Sequence, residues 1–217
     1  MFWYDWNRTL FTSRDLIVKD NVELVSEYLE IESKNLIHPV QTHSDNVRVV
    51  EDNLYSYENT DALILTSKNK AIYLNFADCT PIIIYDYKNN IGAIAHAGWR
   101  GTAERIAQKT VFKMQKDFGT KAKDIVCAIG PCIGFDEFET YTDALKRLKA
   151  SINKIGTPYF KDNYVDLKGL NKEQLNEIGV FDIDICPYCT VKDNDKFFSY
   201  RKENKTTNRH SAVLKLR

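Results

Sequence analysis

The pattern of apolar and polar positions sets short strand-like runs in the first half of the chain and helical stretches that punctuate the rest. Residues 1–19 read as a strand pair. Phe2, Tyr4 and Trp6 alternate with Trp3 and Asp5, and Leu16-Ile17-Val18 follows a turn near Ser13-Arg14-Asp15. Val22, Val25 and Leu29 recur at helical spacing behind Asn21, a capping residue, which predicts a short helix over 21–31. Val47 to Val50, Asp61 to Thr66, Ala71 to Phe76 and Ile82 to Tyr85 read as strands, with a polar loop at 51–60. Pro81 cannot donate to a ladder, so a bend or bulge is expected there. Lys88-Asn89-Asn90 is turn chemistry that closes a hairpin onto a strand from Ile91 to His96.

Beyond that hairpin, Thr102 is placed to cap a helix whose buried face runs through Ala103, Ile106, Ala107, Thr110, Val111, Met114 and Phe118 before Gly119 stops it. Ile125 to Ile129 predicts a buried strand leading into a glycine-rich turn, Gly130-Pro131-Cys132-Ile133-Gly134, with a helix from about Asp143 and a polar loop over 153–163. Asn171-Lys172-Glu173-Gln174 has the form of a capping box opening a helix that Gly179 closes. Val180 to Ile185 is a strand ended by Cys186-Pro187-Tyr188-Cys189-Thr190, and residues 197–214 alternate strand character with a basic loop. No repeat, low-complexity tract or linker divides residues 1–217. The expected fold is α/β: a single-domain layered α/β/β/α sandwich with mixed sheets.

Composition narrows the function classes. The 217 residues are 43% hydrophobic, enough for a core that hides roughly 70% of the unfolded surface. Thirty basic residues balance thirty acidic ones, so no global field draws the chain to nucleic acid or an anionic membrane, and any bound anion must be held locally. Without a leader pattern or a run of ~20 apolar residues, the expected location is cytoplasmic. Five cysteines, an odd number, fit reduced thiols better than a disulfide framework.

The stretch with most chemistry is Ile91-Gly92-Ala93-Ile94-Ala95-His96-Ala97-Gly98-Trp99-Arg100-Gly101. A buried strand delivers His96 to an elbow stripped of side chains, followed by a stacking plane and a forked cation. A core histidine beside a surface arginine is the plainer reading of the same residues. His43 sits in a polar interruption after Pro39, and Cys79 lies at the break before Pro81, a neighbour of His96 across the hairpin. Two imidazoles and one thiolate suit zinc with a fourth position open, or else they are three separately buried polar residues. The amides after Gly101 and the side chains of Arg100, Arg201 and Arg209 are candidates for holding an anion, Arg100 above the others, although each arginine also reads as a surface ion pair. Cys127, Cys132, Cys186 and Cys189 form a four-thiolate zinc site only if two strand ends converge; otherwise they are packed thiols.

Gln41-Thr42-His43, Ala77-Asp78-Cys79, His96-Ala97-Gly98-Trp99-Arg100-Gly101, Gly130-Pro131-Cys132-Ile133-Gly134 and Phe197-Phe198-Ser199-Tyr200-Arg201 occur in the order seen in one family. From about residue 36 onward the chain resembles the purine nucleoside phosphorylase family once called laccase-domain or polyphenol oxidase proteins, which includes the peptidoglycan editing factor. The resemblance implies the same layered fold and zinc bound by His43, His96 and Cys79. It also implies phosphorolysis of adenosine, inosine and S-methyl-5′-thioadenosine, with adenosine deamination as a second activity. Deamination needs an activated water, which zinc supplies, and a proton shuttle, for which Asp78 is the candidate. Asp78, Cys79 and Arg100 are then catalytic, and Gln41, Arg100, Arg201 and Arg209 bind substrate or phosphate. The chain departs from the family at Ser44, where glycine is usual, at Asn208 in Thr207-Asn208-Arg209, and in its amino-terminal segment, where Phe11-Thr12-Ser13-Arg14-Asp15 replaces a glycine-rich one.

Two other classes compete with this reading: a metal-free cysteine hydrolase or peptidoglycan-editing factor using Cys79 with a histidine, and a non-enzymatic zinc-binding accessory protein. Four histidines, His38, His43, His96 and His210, are too few for a multicopper oxidase, while a single copper on the same three ligands stays open. The expected partners are purine nucleosides and phosphate, and the expected state is a monomer or weak dimer.

Overall fold

The structure, a computed structural model, describes residues 2–4, 8–54, 56–153 and 158–217. Its strands are β1 (Phe2–Tyr4), β2 (Arg8–Phe11), β3 (Leu36–Ile37), β4 (Val47–Val49), β5 (Ala62–Leu65), β6 (Ala71–Phe76), β7 (Thr80–Asp86), β8 (Ile91–Ala97), β9 (Ile125–Ile129), β10 (Phe160–Lys161), β11 (Tyr164–Val165), β12 (Asp182–Ile185) and β13 (His210–Lys215). Its helices are α1 (Val22–Tyr28), α2 (Trp99–Ala103), α3 (Ile106–Phe118), α4 (Thr142–Ala150) and α5 (Leu167–Asn176).

Two mixed sheets carry the fold. The smaller runs β1-β2-β13-β6-β3 and the larger β12-β9-β7-β8-β5-β4, with parallel pairs at β3/β6, β4/β5 and β9/β12 and antiparallel pairs elsewhere. Residue parity on each strand decides which layer a side chain joins. Leu63, Leu65, Ile83 and Ile94 face Ile72, Leu74, Phe76 and Leu214 across the sheet-on-sheet core. Ile64, Ile82, Ile84, Ala93 and Ala95 turn the other way, onto Ile106, Ala107, Val111 and Met114 of α3. Leu10, Tyr73 and Val213 cover the far side of the smaller sheet with Val25 and Leu29 from α1 and the residue after it. The layers are therefore α/β/β/α. His96 shares the parity of Ile94 and so enters the space between the sheets, with its ring 5.3 Å from that of Phe76.

Several local expectations shift. The strand pairing with β1 is Arg8–Phe11, and Val18 instead opens a 3₁₀ turn; Asp5 and Trp6 lie outside the described residues, as do 154–157 of the loop expected over 153–163. Asn21 precedes α1, but its amide donates to the Ile17 carbonyl and caps nothing. Pro81 lies inside β7, opposite His96, and the bend falls earlier, over 77–79. Thr102 caps no helix: it lies inside α2, with its hydroxyl donating to the Ala97 carbonyl and accepting from Asn171. Arg105, at φ 60°, then separates α2 from α3. Helix α5 begins at Asp166, whose carboxylate caps Gly169, so Asn171 is interior and the capping box does not form. Gly119 and Gly179, at φ 70° and 85°, stop their helices as expected.

Two stability predictions follow from buried positions. A Cβ on Gly130 would lie 2.5–2.8 Å from ring atoms of Phe11, a rigid neighbour between the sheets. Gly130→Ala is expected to destabilise by about 1–3 kcal/mol in denaturant unfolding. His210 is buried between Phe76 and Phe197, and neither ring nitrogen has a well-formed hydrogen bond among the described residues. Burial pushes its pKa down to about 3, outweighing the nearby Pro131 carbonyl that favours a proton. The folded ring thus stays neutral while the unfolded one protonates below about pH 6.5, so this contribution is complete above that pH and lost as pH falls toward 3, at about 1.4 kcal/mol per pH unit. Thermal melts between pH 7.5 and 5 should show a shallower acid loss for His210→Gln than for the parent chain.

Candidate functional site

The site is built where three strand ends meet. Strand β6 ends in a bend whose middle residue, Asp78, has φ 78°, and Cys79 follows just before β7. Across the hairpin, β8 brings His96 to the same end, since Thr80 pairs with Ala97 and Pro81 with His96. Gly98 comes next, and its bare face makes room: a Cβ there would lie 2.8 Å from Cys79 Sγ and 3.3 Å from His43 Cδ2. His43 comes from the loop before β4, at φ 61°.

One carboxylate holds this arrangement. Asp61 is fully buried at the head of β5 and accepts from the backbone amides of Thr42 (3.1 Å), His43 (3.1 Å) and Ser44 (2.7 Å) and from the Ser44 hydroxyl (2.7 Å). Its Oδ1 lies 2.7 Å from His96 Nδ1. Burial works to raise the Asp61 pKa, but the bonds from His96 and Ser44 outweigh it and hold the carboxyl down at about 2. An ionised carboxylate only accepts, so His96 Nδ1 carries a proton, and Nε2 is the nitrogen that a metal would take once its own proton is displaced. Ser44 joins this network through its hydroxyl.

The ligand atoms of His43, Cys79 and His96 lie within 4.8 Å of one another, and among the described residues no other group of three histidine, cysteine or acidic side chains gathers in this way. The imidazole centroids are 4.9 Å apart. Burial favours the neutral forms of Cys79 and His96, yet their mutual attraction, with Asp61 and His43 beside them, lowers the thiol and raises the imidazole. This environment favours a thiolate, the form that ligates metal. Two nitrogens and one sulfur are a donor set that fits a single metal ion, zinc or copper by ligand type.

A cavity of about 730 Å³ opens over the three residues. Among the described residues Arg100, Arg201, Lys205 and Arg209 line it against a single carboxylate, Asp78, so a chain of zero net charge presents locally positive walls. The arginines differ in freedom. Arg201 donates to the carbonyls of Glu137 (2.9 Å) and Glu139 (3.1 Å), and Arg209 to those of Thr206 and Asn208, whereas Arg100 lies over the Trp99 ring at 4.4 Å. Gln41 also lines the cavity, but its amide exchanges hydrogen bonds with the Asn75 backbone in both directions, at 3.0 and 2.9 Å. The helix terminus expected after Gly101, with Thr102 as its cap, lies four residues earlier, at Gly98, on a helix of only five residues, so its dipole adds little to anion binding.

The remaining cysteines behave as packed thiols. The backbones of Cys132 and Cys189 pair in an isolated parallel β-bridge with both thiols free; Cys132 donates to the Ile133 carbonyl and Cys189 accepts from the Gly134 amide, while burial pushes the Cys132 thiol up to about 12. Among the described residues the four-thiolate group does not form. Asp61 is the residue whose role sequence reasoning missed. Its one visible signal was a charge heading an otherwise apolar strand.

Known proteins share this architecture. A purine nucleoside phosphorylase of Bacteroides thetaiotaomicron is 31% identical over 204 residues, spanning 85% of this chain and 74% of the relative. An adenosine deaminase, RL5, from an unknown prokaryotic organism is 32% identical over 190 residues, spanning 80% and 72%. The crystal structure of YlmD from Geobacillus stearothermophilus superimposes with a TM-score of 0.85 at 28% identity, covering 94% of this chain and 81% of that one. Residues 11–217 match the family described as multi-copper polyphenol oxidoreductase laccase, and the chain belongs to that family.

Proposed function

We propose that the chain is a zinc-dependent purine nucleoside phosphorylase acting on adenosine, inosine and S-methyl-5′-thioadenosine, with adenosine deamination as a side activity. The observation that carries this reading is the His43, Cys79 and His96 group on the floor of a cavity with cationic walls. The names of the relatives support the substrate class.

The substrates' chemistry matches what the lining residues offer. In phosphorolysis a phosphate oxygen bonds to C1′ while the glycosidic bond breaks, its electron pair leaving with the base, which takes up a proton. Arg100, with no hydrogen-bond partner among the described residues, holds the phosphate together with Lys205, Arg201 and Arg209 from the opposite loop. Trp99, Phe138 and Tyr200 supply aromatic surface for the base and ribose. His43, Cys79 and His96 would hold the zinc, which when bound supplies Lewis acidity and a water activated near neutral pH. Asp61 fixes the histidines through its hydrogen bonds. A second reading, the metal-free cysteine hydrolase, draws on Cys79 lying between two imidazoles that favour its thiolate. Metal content separates the two, because a thiolate bound to zinc is not free to attack.

Elemental analysis of the purified chain should find stoichiometric zinc. Adenosine should yield adenine and ribose 1-phosphate only when phosphate is present, and inosine by deamination. His43→Ala should lower turnover at least ~100-fold with loss of metal, in the range seen when catalytic groups are removed. A metal-free protein whose activity survives a chelator sinks the zinc assignment, and stoichiometric zinc without turnover on any nucleoside leaves the accessory-protein alternative. For Asp61→Asn, competition against a chromophoric chelator should show metal affinity reduced roughly 10–100-fold, as for other outer-shell partners of ligating histidines.

A further inference from the structure

We propose that Asp78 is a positioning residue, a clamp that ties the loop carrying Arg201 to the bend carrying Cys79, and that it does not shuttle protons. Each carboxylate oxygen already has a donor: Thr190 Oγ1 reaches Oδ1 at 2.7 Å and the Arg201 backbone amide reaches Oδ2 at 2.7 Å. These partners lie 112 and 123 residues away along the chain. The Asp78 carbonyl takes a third bond, from the Ile133 amide at 3.0 Å. Asp78 holds these contacts at φ 78°, a backbone angle that non-glycine residues adopt only where surrounding structure enforces it.

The loop at 199–205 is held from several sides: the Arg201 guanidinium donates to the carbonyls of Glu137 and Glu139, and Lys202 Nζ to that of Val191. On its outer side Glu203 pairs with Arg14 and accepts from Asn194 and the Ser199 amide. On its inner side the contact to the cavity floor is Asp78 bonded to the Arg201 amide. Thr190 is fully buried and absent from the cavity wall, so its hydroxyl serves to orient the carboxylate. One residue beyond Asp78 is Cys79, so the clamp sets the distance between the Cys79 sulfur and the cation-bearing loop. That the anion is phosphate rests on the phosphorolysis reading; the clamp itself does not.

Three variants separate the roles. Asp78→Gly accepts the backbone angle but has no oxygens. Asp78→Asn keeps an oxygen for the Arg201 amide and turns its NH₂ toward the Thr190 hydroxyl, which can accept. Thr190→Val removes one donor and leaves Asp78 intact. A clamp predicts that Asp78→Gly raises the phosphate KM roughly tenfold, equivalent to about 1.4 kcal/mol, with kcat at saturating phosphate little changed. Asp78→Asn should largely restore it, and Thr190→Val should fall between. Hydrogen exchange of 199–205 should quicken in Asp78→Gly while β6 and β13 keep their protection. Equal loss of kcat in Asp78→Gly and Asp78→Asn, with phosphate KM and Thr190→Val unaffected, would establish a shuttle and overturn the clamp. Unchanged exchange over 199–205 overturns it whatever the kinetics. Should the parent chain turn over no nucleoside, the phosphorolysis reading fails, and the exchange measurement still decides the clamp.

Discussion

The structure at this site depends on the buried carboxylate of Asp61. Taking an ionised group out of water costs several kcal/mol unless donors replace the solvent, and here three backbone amides, a hydroxyl and an imidazole do so. The same bonds impose order on both histidines. His96 is held in one tautomer, and the 42–44 loop is wrapped around the carboxylate tightly enough to keep His43 at a positive φ. Strand register places the carboxylate: Ala62 pairs with Ala95, and the His96 amide donates to the Asp61 carbonyl at 2.7 Å. A slip of one residue would turn His96 out of the inter-sheet space and leave the charge without its imidazole.

From that point the architecture explains the chemistry available. The sheets pack through large aliphatic side chains over most of their overlap, but where β8 ends the chain runs through Ala97 and Gly98, and the core ends against a cavity instead of more protein. The reactive groups are thus backed by rigid strands and faced by loops. Helix α2 and the loop before β13 supply the cations, so a chain of zero net charge carries a locally positive cavity. Such a field favours a small anion over an extended polyanion.

How much of this was legible depended on whether the cause was local. Apolar runs bounded by turn residues gave away β5 to β9, and the Asn-rich turn at 88–90 announced the hairpin that makes Cys79 and His96 neighbours. The three candidate ligands were nameable because the residues around them were wrong for a plain core strand. What failed was decided by tertiary partners. Thr102 looks like a cap, yet the hydroxyl is claimed by the Ala97 carbonyl and by Asn171, 69 residues on, so the helix starts earlier and breaks at Arg105. Gln41 looks available for a ligand, yet the end of β6 takes its amide. Asp61 showed only as a charge heading an apolar strand, and its role stayed hidden because its partners are 17 to 35 residues away.

The family's description invokes several coppers, and the placement of the four histidines bears on it directly. His43 and His96 belong to the one ligand group found among the described residues. His38 leans on Tyr73 with centroids 5.0 Å apart, and His210 is enclosed by Phe76 and Phe197. Neither stands beside a second cluster of donors. A type 1 centre and a trinuclear cluster need far more imidazoles than this chain holds, so electron relay from a phenol to oxygen through several metals has no ligands to run on. One sulfur and two nitrogens gathered around a single position, beneath cationic walls, make a ligand set for one metal, and this departs from the several coppers that the family's description names.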